Sequence, residues 1–430
     1  GVLAQQAGAA GFIEDSKATL GLRNFYINTD NRSGAANPSR NEEWGQGFDL
    51  RFISGYTQGA VGFGVDAIGL LGVRLDSGGG TNGAANGAAY GGTVFPSESN
   101  GEAVDNFSSL GLTAKAKISQ TELKLGTLQP KLPVIVTNDG RLLPQTFQGG
   151  QITSGEIKDL TLIGGQIEHV KGRNSSSNEQ LSIGGASART ANSNKFIYAG
   201  GDYKITKDLT AQYYYGNLED FYKQHFLGLV HNWSIGPGVL KSDLRYFNSS
   251  DDGLNGNTAT YYSNGNYNST ANGKGKVDNN LYSGLFLYTV AGHTFGGGYQ
   301  VSNGSSDFPW LNQGDGSSAY LTTDSQIAKF ARAGERTWQA RYSYDFAKVG
   351  VPGLTAGVVY LHGDDIDTRS PASSGSSEWE RDLTVGYVVP EGPLKNVGLM
   401  WKNATWRTNI PGQRDQDENR LIVSYSIPLL

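Results

Sequence analysis

The chain has 430 residues, a formal net charge of -5 and no cysteine. This length suits two or three ordinary domains or one large barrel, and the lack of cysteine excludes disulfide frameworks, thiolate zinc sites and cysteine catalysis. The negative charge argues against nucleic acid as a main partner. No apolar run approaches the ~20 residues of a membrane helix. The mean hydropathy of -0.40 therefore excludes a helical membrane protein, but not a membrane β-barrel, whose strands are only half apolar.

The opening GVLAQQAGAAGF has neither a basic start nor a continuous apolar core, so it fits a mature chain rather than a signal peptide. Alternation of apolar and polar residues then predicts β-strands. In Leu110–Ser119, Leu110 and Leu112 lie on one face, and Lys115 and Lys117 lie on the other. The strands predicted in this first part of the chain are Lys17–Asn28, Trp44–Tyr56, Gly59–Ala67, Leu110–Ser119 and a short strand at Leu123 and Leu125.

The stretch Leu128–Gly155, LQPKLPVIVTNDGRLLPQTFQGGQITSG, does not alternate. Its prolines remove backbone donors and oppose sheet pairing, and Asn-Asp-Gly at 138–140 indicates a tight turn. The stretch also contains apolar residues that favour burial: Leu132, Val134, Ile135, Val136, Leu142, Leu143 and Phe147. A long loop with its own apolar anchors is more often packed and functional than disordered. We therefore predict that Leu128–Gly155 is the third extracellular loop, folded into a barrel, and that it presents Arg141 to the lumen.

Alternation resumes after this loop and continues to the end of the chain. The strands predicted there are Leu160–Val170, Lys195–Ile205, Leu209–Tyr215, Tyr222–Trp233, Val239–Asn248, Asn280–Val290, His293–Asn303, Thr337–Ala347, Leu354–Gly363, Trp379–Val389, Val397–Arg407 and Asn419–Pro428. Short turns such as Ser119-Gln120 alternate with long polar loops, of which Ser249–Asp278 and Gly304–Gly334 are the clearest. Short turns at one end and long loops at the other are typical of outer-membrane barrels.

These features predict an all-β fold: one transmembrane antiparallel β-barrel domain over residues 1–430. We expect about 18 strands, a size that leaves an aqueous channel, with short periplasmic turns and long extracellular loops. The alternative is a soluble β-sandwich or solenoid. It is disfavoured because Arg and Lys recur on the polar face of strand after strand, and because aromatic residues lie near the strand ends, as interface girdles do.

Several stretches resemble the OprD-type family of substrate-specific outer-membrane porins. They are GFIEDSKATLGLRNFYINTD at 11–30, EEWGQGFDLRFISGYTQGAVGFGVDAIGLLGVRLD at 42–76, AKAKISQTELKLGTLQP at 114–130, GRLLPQTFQG at 140–149, NLEDFYKQHF at 217–226, GERTWQARYSYDFAKVGVPGLT at 334–355 and ENRLIVSY at 418–425. The phrases FDLRFISGYTQG and GRLLPQTFQG favour the branch for cyclic and aromatic carboxylates. The resemblance implies a channel, not an enzyme, for passive uptake of small carboxylates across a bacterial outer membrane.

The resemblance also implies a row of Arg and Lys, the basic ladder, that guides the carboxylate along the pore wall. A charge facing lipid at mid-depth costs ~2–4 kcal/mol, so alternation points the strand cations inward. The residues expected on the substrate path are Arg23, Arg51, Lys115, Lys117, Arg141, Lys402 and Arg420. A second inward loop of the family supplies an opposing carboxylate, for which Asp324 with nearby Ser325 is the candidate here. For each cation, the alternative role is a wall residue paired with an acid such as Asp49 or Asp66.

The expected partners are small carboxylate substrates, outer-membrane lipid and lipopolysaccharide, with no nucleic acid, cofactor or metal. The barrel is expected to be a monomer or a weakly associated oligomer. Two other functions stay open from the sequence. A general cation-preferring porin is compatible with the net charge of -5, and an outer-membrane enzyme or adhesin could use the long loops.

Overall fold

A computed structural model describes residues 11–32, 40–77, 92–184, 192–257, 276–312, 316–368 and 375–430. Within these ranges, 18 antiparallel strands form the wall of a closed barrel. In chain order they are β1 (Lys17–Asn31), β2 (Arg40–Ile53), β3 (Val61–Ser77), β4 (Asn106–Ile118), β5 (Thr121–Leu128), β6 (Thr146–Ser154), β7 (Leu160–Lys171), β8 (Phe196–Thr206), β9 (Leu209–Leu218), β10 (Tyr222–Ile235), β11 (Gly238–Asp251), β12 (Asp278–Val290), β13 (His293–Gly304), β14 (Arg336–Asp345), β15 (Leu354–Ile366), β16 (Ser376–Val388), β17 (Gly398–Thr408) and β18 (Gln416–Pro428).

Each wall strand pairs with its neighbours in the chain, and β1 pairs with β18 to close the barrel. Closure leaves no sheet edge with unpaired backbone groups, which is the condition for a sheet to cross a bilayer. A further two-residue strand, Asn178–Glu179, extends the pairing at the end of β7. Two small pairs lie in the loops: Lys131–Leu132 with Ile135–Val136, and Ser182–Ile183 with Leu311–Asn312. Among the described residues, no helix is long and apolar enough to cross a membrane.

The two faces of the wall have opposite polarity, and the apolar face is the outer one. On β4, Leu110 and Leu112 are 71% and 58% exposed, whereas Thr113 and Lys115 are each only 6% exposed. The same contrast recurs around the barrel, where buried glutamine, asparagine and glutamate side chains face inward and large apolar side chains face outward. A soluble protein would bury the apolar face, so this arrangement excludes the soluble sandwich.

Connections differ at the two ends of the barrel. Residues 119–120, 207–208, 236–237 and 291–292 make minimal turns at one end, where strand β1 begins and strand β18 ends. The other end carries the longer connections, including 78–105, 129–145, 172–195, 252–277 and 305–335, although 219–221 is short. The buried apolar residues form two clusters between described parts of these connections and the wall. The barrel therefore has its hydrophobic cores inside the lumen, under the loops.

Candidate functional site

The constriction loop is shorter than the sequence predicted. Residues 146–154 of the predicted loop form the wall strand β6, which pairs with β5 and β7. Two consecutive glycines, Gly149 and Gly150, interrupt the alternation of apolar and polar residues there, so the pattern did not predict the strand. Gly149 is required by its surroundings, because a Cβ would overlap the backbone carbonyl of Gln166 on β7. The loop that enters the lumen is residues 129–145.

Apolar side chains of this loop pack against the wall at glycines. Leu142 and Leu143 are each 2% exposed, and Ile135 is equally buried. Leu142 lies directly over Gly45 and Gly47 on β2, where a Cβ would come within 2.8–3.0 Å of its side chain. A buried leucine contributes roughly 1.5–3 kcal/mol relative to an exposed one. The wall glycines therefore leave the space in which the loop side chain packs against the wall.

Hydrogen bonds within the loop fix its shape. Thr137 donates from its backbone N–H (2.9 Å) and its hydroxyl (2.8 Å) to the Pro130 carbonyl. Gln145, which is fully buried, accepts the Asn138 N–H on Oε1 at 3.0 Å and donates its own N–H to the Asn138 carbonyl at 2.9 Å. The Gly140 N–H donates to Asn138 Oδ1 at 3.0 Å, which confirms the predicted Asn-Asp-Gly turn.

The tip of the loop is tied to two cations of the wall. Arg23 on β1 forms an ion pair with Asp139, with Nη1 2.7 Å from Oδ1, and also donates to the Arg141 carbonyl at 2.8 Å. Arg420 on β18 approaches the Gly140 carbonyl at 3.5 Å. Both wall cations therefore face the lumen at the constriction.

Arg141 is buried at the constriction rather than projecting freely into the lumen. Only 9% of the residue is exposed. Its Nε donates to Thr93 Oγ1 at 3.2 Å, and its Nη1 donates to the Gly140 carbonyl at 3.0 Å. Its charge acts on Lys402 and on Glu418, which lie on the facing strands β17 and β18. Arg141 thus contributes positive potential from a fixed position.

A second long connection, residues 305–335, also folds inward over its described parts, 305–312 and 316–335. Glu380 on β16 accepts the backbone N–H groups of Ile327 (3.2 Å) and Ala328 (2.8 Å). Arg420 donates to the Gln326 carbonyl at 3.1 Å. On the far wall, Arg245 donates to the Tyr320 carbonyl at 3.0 Å and stacks on the Tyr320 ring. Side chains of opposite walls therefore hold this connection across the lumen.

A third inward segment, residues 92–105, was not predicted. Glu43 on β2 accepts the backbone N–H groups of Thr93, Val94 and Phe95 at 2.8, 3.0 and 3.1 Å. The side chains of Val94 and Phe95 are completely buried. Glu43 falls on the inward face of the alternating pattern, which was a signal, but its role as a backbone acceptor depends on a segment far away in the chain.

Three of the seven predicted ladder cations, Arg51, Lys115 and Arg420, lie next to a wall acid. Arg51 lies 2.9 Å from Asp49, and Lys115 lies 2.8 Å from Asp66. Further pairs of this kind are Arg420 with Glu418 at 2.6 Å, Arg245 with Asp243 at 2.9 Å and Lys124 with Glu122 at 3.6 Å. Lys402 differs: among the described residues it has no ion-paired or hydrogen-bonded partner. It stands between the charges of Arg420, Arg141, Asp382 and Glu418.

Lys115 and Lys117 lie away from the constriction, near the short-turn end. Lys115 is only 6% exposed, and its Nζ donates to the Ser54 carbonyl at 2.7 Å and lies 4.8 Å from the Tyr56 ring centre. Lys117 is exposed, with its Nζ 5.8 Å from the same ring. Lys115 therefore fastens the turn that follows β2, whereas Lys117 keeps an accessible charge.

The predicted acid Asp324 is occupied within its own loop, where Oδ2 accepts the Ala319 N–H at 3.0 Å. The charge of Asp382, on the neighbouring strand β16, acts on Lys402, and this acid was not predicted. Asp382 is 4% exposed, lies beside Ser325, and has no well-formed hydrogen bond on either oxygen among the described residues. Its alternation with Arg381 and Leu383 in the sequence was the available signal.

Open space continues below the loop toward the short-turn end. One cavity of about 430 Å³ is bounded by Arg23, Asp49, Arg51 and Leu142. A neighbouring cavity of about 290 Å³ is bounded by Arg51, Lys124 and Asp139, among others. Arg51 borders both. Two of the predicted cations, Arg23 and Arg51, thus border open space below the loop.

Known proteins are similar to this chain in sequence and in fold. The family model for "outer membrane porin, OprD family" matches residues 10–429. The porin-like protein GalP of Pseudomonas putida is 38% identical, over 99% of this chain and 95% of its own length. The crystal structure of OccK8 (OprE) from Pseudomonas aeruginosa is 63% identical, with a TM-score of 0.88, and covers 98% of this chain and 100% of its own. The structure of Pseudomonas aeruginosa OpdK with vanillate is 36% identical, with a TM-score of 0.84, over 97% and 100% of the two chains.

These matches confirm the family, the barrel fold and the bacterial outer membrane as the location, and they make the protein a channel for small molecules rather than an enzyme. The chain is a member of the OprD family of outer membrane porins.

Proposed function

We propose that this porin selects small carboxylate-bearing molecules for passive uptake. The observation that carries the proposal is the arrangement at the constriction. Arg141, Lys402 and Arg420 place three positive charges around one point of the lumen, and Lys402 has no partner of its own among the described residues. An incoming carboxylate would supply the partner that Lys402 lacks.

The strength of the contact suits a channel. A hydrogen bond to a charged group contributes about 1.5–3 kcal/mol. Arg420 already shares its charge with Glu418, so a substrate meets one available cation rather than three. Selective conduction needs sites that are favourable enough to enter and weak enough to leave. One unpaired lysine, backed by the ion-paired Arg420 and the buried Arg141, provides such a site.

The remaining predicted residues fit a path on either side of Lys402. Arg23 and Arg51 border the cavity below the loop, and Lys117 offers an accessible charge near the exit. We propose Arg23, Arg51 and Lys117 as successive positions for the carboxylate, with Lys115 holding the wall. We propose that Ser325, which lies beside Asp382, contacts polar groups of the substrate.

The substrate class is proposed to be cyclic or aromatic carboxylates. OpdK, a related porin, has a solved structure with vanillate, which is an aromatic carboxylate. The FDLRFISGYTQG and GRLLPQTFQG phrases of this chain favour the same class. Outer-membrane lipid is the proposed partner of the exposed apolar outer face, including Leu110 and Phe63.

One observation favours a second candidate, the general cation-preferring porin. Glu378, Glu380 and Asp382 occupy three successive inward positions on β16 and are all buried. If their negative potential dominates the constriction, cations would pass more easily than anions. Reversal potentials across a planar bilayer with a salt gradient distinguish the two candidates by their sign.

The test of the proposed function is uptake into liposomes that contain the purified protein. A panel of labelled aromatic, cyclic and amino-acid carboxylates is compared with uncharged analogues of equal size. Preferential uptake of cyclic or aromatic carboxylates is expected. Equal uptake of the acids and their neutral analogues would refute carboxylate selection, and no uptake at all would refute the channel.

A further inference from the structure

Two glutamates meet where the inward connection 305–335 returns to the wall. Glu335 is the last residue of that connection, Glu378 lies on β16, and they are 0% and 2% exposed. Their carboxyl groups lie within hydrogen-bonding reach of each other. Glu335 Oε1 accepts the Arg332 N–H at 3.1 Å, and Glu378 Oε1 accepts the Trp406 indole N–H at 2.9 Å. The Oε2 atom of each residue has no other hydrogen-bond partner.

A single proton accounts for both unsatisfied oxygens. Two carboxylates that share a buried site cannot both be ionised without a large cost, so one of them holds a proton. A protonated carboxyl is a donor, and an ionised one is an acceptor. A proton between the two Oε2 atoms therefore satisfies both groups. Gly363 on β15 leaves the necessary room, because a Cβ there would overlap Glu335 Oε2.

We propose that Glu335 and Glu378 share one proton, and that this proton-binding site fastens the end of connection 305–335 to the barrel wall. The fastening reaches the constriction through a short stretch of chain, because Ile327 and Ala328 of the same connection are the residues held by Glu380. Loss of the proton leaves two buried negative charges side by side and loosens the constriction.

The surrounding charges do not replace the proton. Neither carboxylate forms an ion pair with any described Lys or Arg. Arg332 acts on Glu335 only at longer range, and Asp307 is engaged with the Ala333 N–H at 2.7 Å. Asp367 follows β15 and binds the Ala333 carbonyl through its backbone N–H, and Arg336 donates to the Gly334 carbonyl at 3.2 Å. A calcium ion, which takes six to eight oxygen ligands, would find too few here.

The pH response has a definite sign. Burial, followed by the charge of Glu378, raises the pKa of Glu335 well above its ordinary value. When the end of connection 305–335 is attached to the wall, the pair holds a proton that it releases when the connection detaches. The attachment is therefore at full strength below the ordinary glutamate pKa. It weakens as the pH rises from there to the raised pKa, and above that value nothing further is lost. Across this window the ratio of loosened to fastened channels rises up to about tenfold per pH unit.

The experiment is single-channel recording in potassium chloride from about pH 5 to about pH 9. This range begins near the ordinary pKa of glutamate and extends well above it. In the wild type, open-channel current fluctuations are expected to become more frequent as the pH rises. In Glu335→Gln the amide donates to the Glu378 carboxylate at every pH, so the fluctuations are expected to stay low. The control is Glu179→Gln, an exposed glutamate in another loop, which should behave as the wild type.

Glu378→Gln provides a second test, because it removes the other member of the pair and should also abolish the pH response. If either glutamine variant does not form a heat-stable barrel, the other one decides. A wild-type channel whose fluctuations do not depend on pH would overturn the proposal, and so would a Glu335→Gln response identical to that of the wild type. The measurement uses no carboxylate substrate, so its outcome is independent of the proposed selectivity.

Discussion

Arg23 and Asp139 form a two-pronged ion pair between strand β1 and the tip of loop 129–145. The distances are 2.7 Å from Nη1 to Oδ1 and 3.2 Å from Nη2 to Oδ2. Both side chains are partly exposed, so the pair contributes little to stability, about 0–1 kcal/mol. Its larger effect is on charge, because Asp139 neutralises a cation that borders the lumen.

The variant Asp139→Asn tests this effect. Without the carboxylate, Arg23 presents a full positive charge to the cavity below the loop. The reversal potential in a salt gradient is expected to move toward anion preference, with a loss of barrel stability below about 1 kcal/mol. Asp105→Asn is the matched control, because it breaks a similar 2.7 Å ion pair with Arg74 outside the constriction. Equal shifts in both variants would contradict a local role for Asp139.

Arg141→Ala tests the buried cation of the loop. Removing its guanidinium opens space and lowers the positive potential at Lys402. The conductance is therefore expected to rise while carboxylate flux falls, by about tenfold if 1.4 kcal/mol of attraction is lost. Single-channel conductance and liposome uptake measure the two effects. If neither changes, Arg141 has no part in selection.

Gly47→Val tests the packing of the constriction loop against the barrel wall. A valine side chain there would enter the space held by Leu142, and overpacking of this kind costs about 1–3 kcal/mol. The loop is expected to leave the wall, with a larger and noisier conductance. Gly69→Val is the control, because Gly69 faces outward and a Cβ there meets nothing closer than 3.9 Å. A quiet, wild-type conductance in Gly47→Val would show that the loop is held elsewhere.

The barrel was predictable because its rule is local. Alternation of apolar and polar residues indicates which face of a strand points to lipid and which points to the lumen. Leu110 and Lys115 lie on these two opposite faces. The rule failed at Gly149 and Gly150, because a glycine has no side chain that indicates which face it belongs to. For this reason the sequence predicts strand β6 as part of the loop. The anchors Leu142 and Ile135 were predictable for the same local reason, since apolar residues in a loop need burial.

The contacts at the constriction were not predictable, because they join residues far apart in the chain. Nothing near Asp382 in sequence indicates that it lies beside Ser325, which belongs to a different connection. Likewise, Glu43 gives no sign that it accepts three backbone N–H groups from residues 93–95. Charge and facing follow from the strand pattern, but partners depend on how three connections fold together inside the barrel.

The most direct test of carboxylate selection is the uptake of a labelled aromatic carboxylate and its neutral amide by liposomes carrying the wild type, Lys402→Met or Lys395→Met. Lys395 is exposed in a turn between β16 and β17 and serves as the control. The account predicts that Lys402→Met lowers uptake of the acid about tenfold, which corresponds to 1.4 kcal/mol, and leaves uptake of the amide and of both compounds through Lys395→Met unchanged. Equal uptake of the acid through the wild type and Lys402→Met would contradict it.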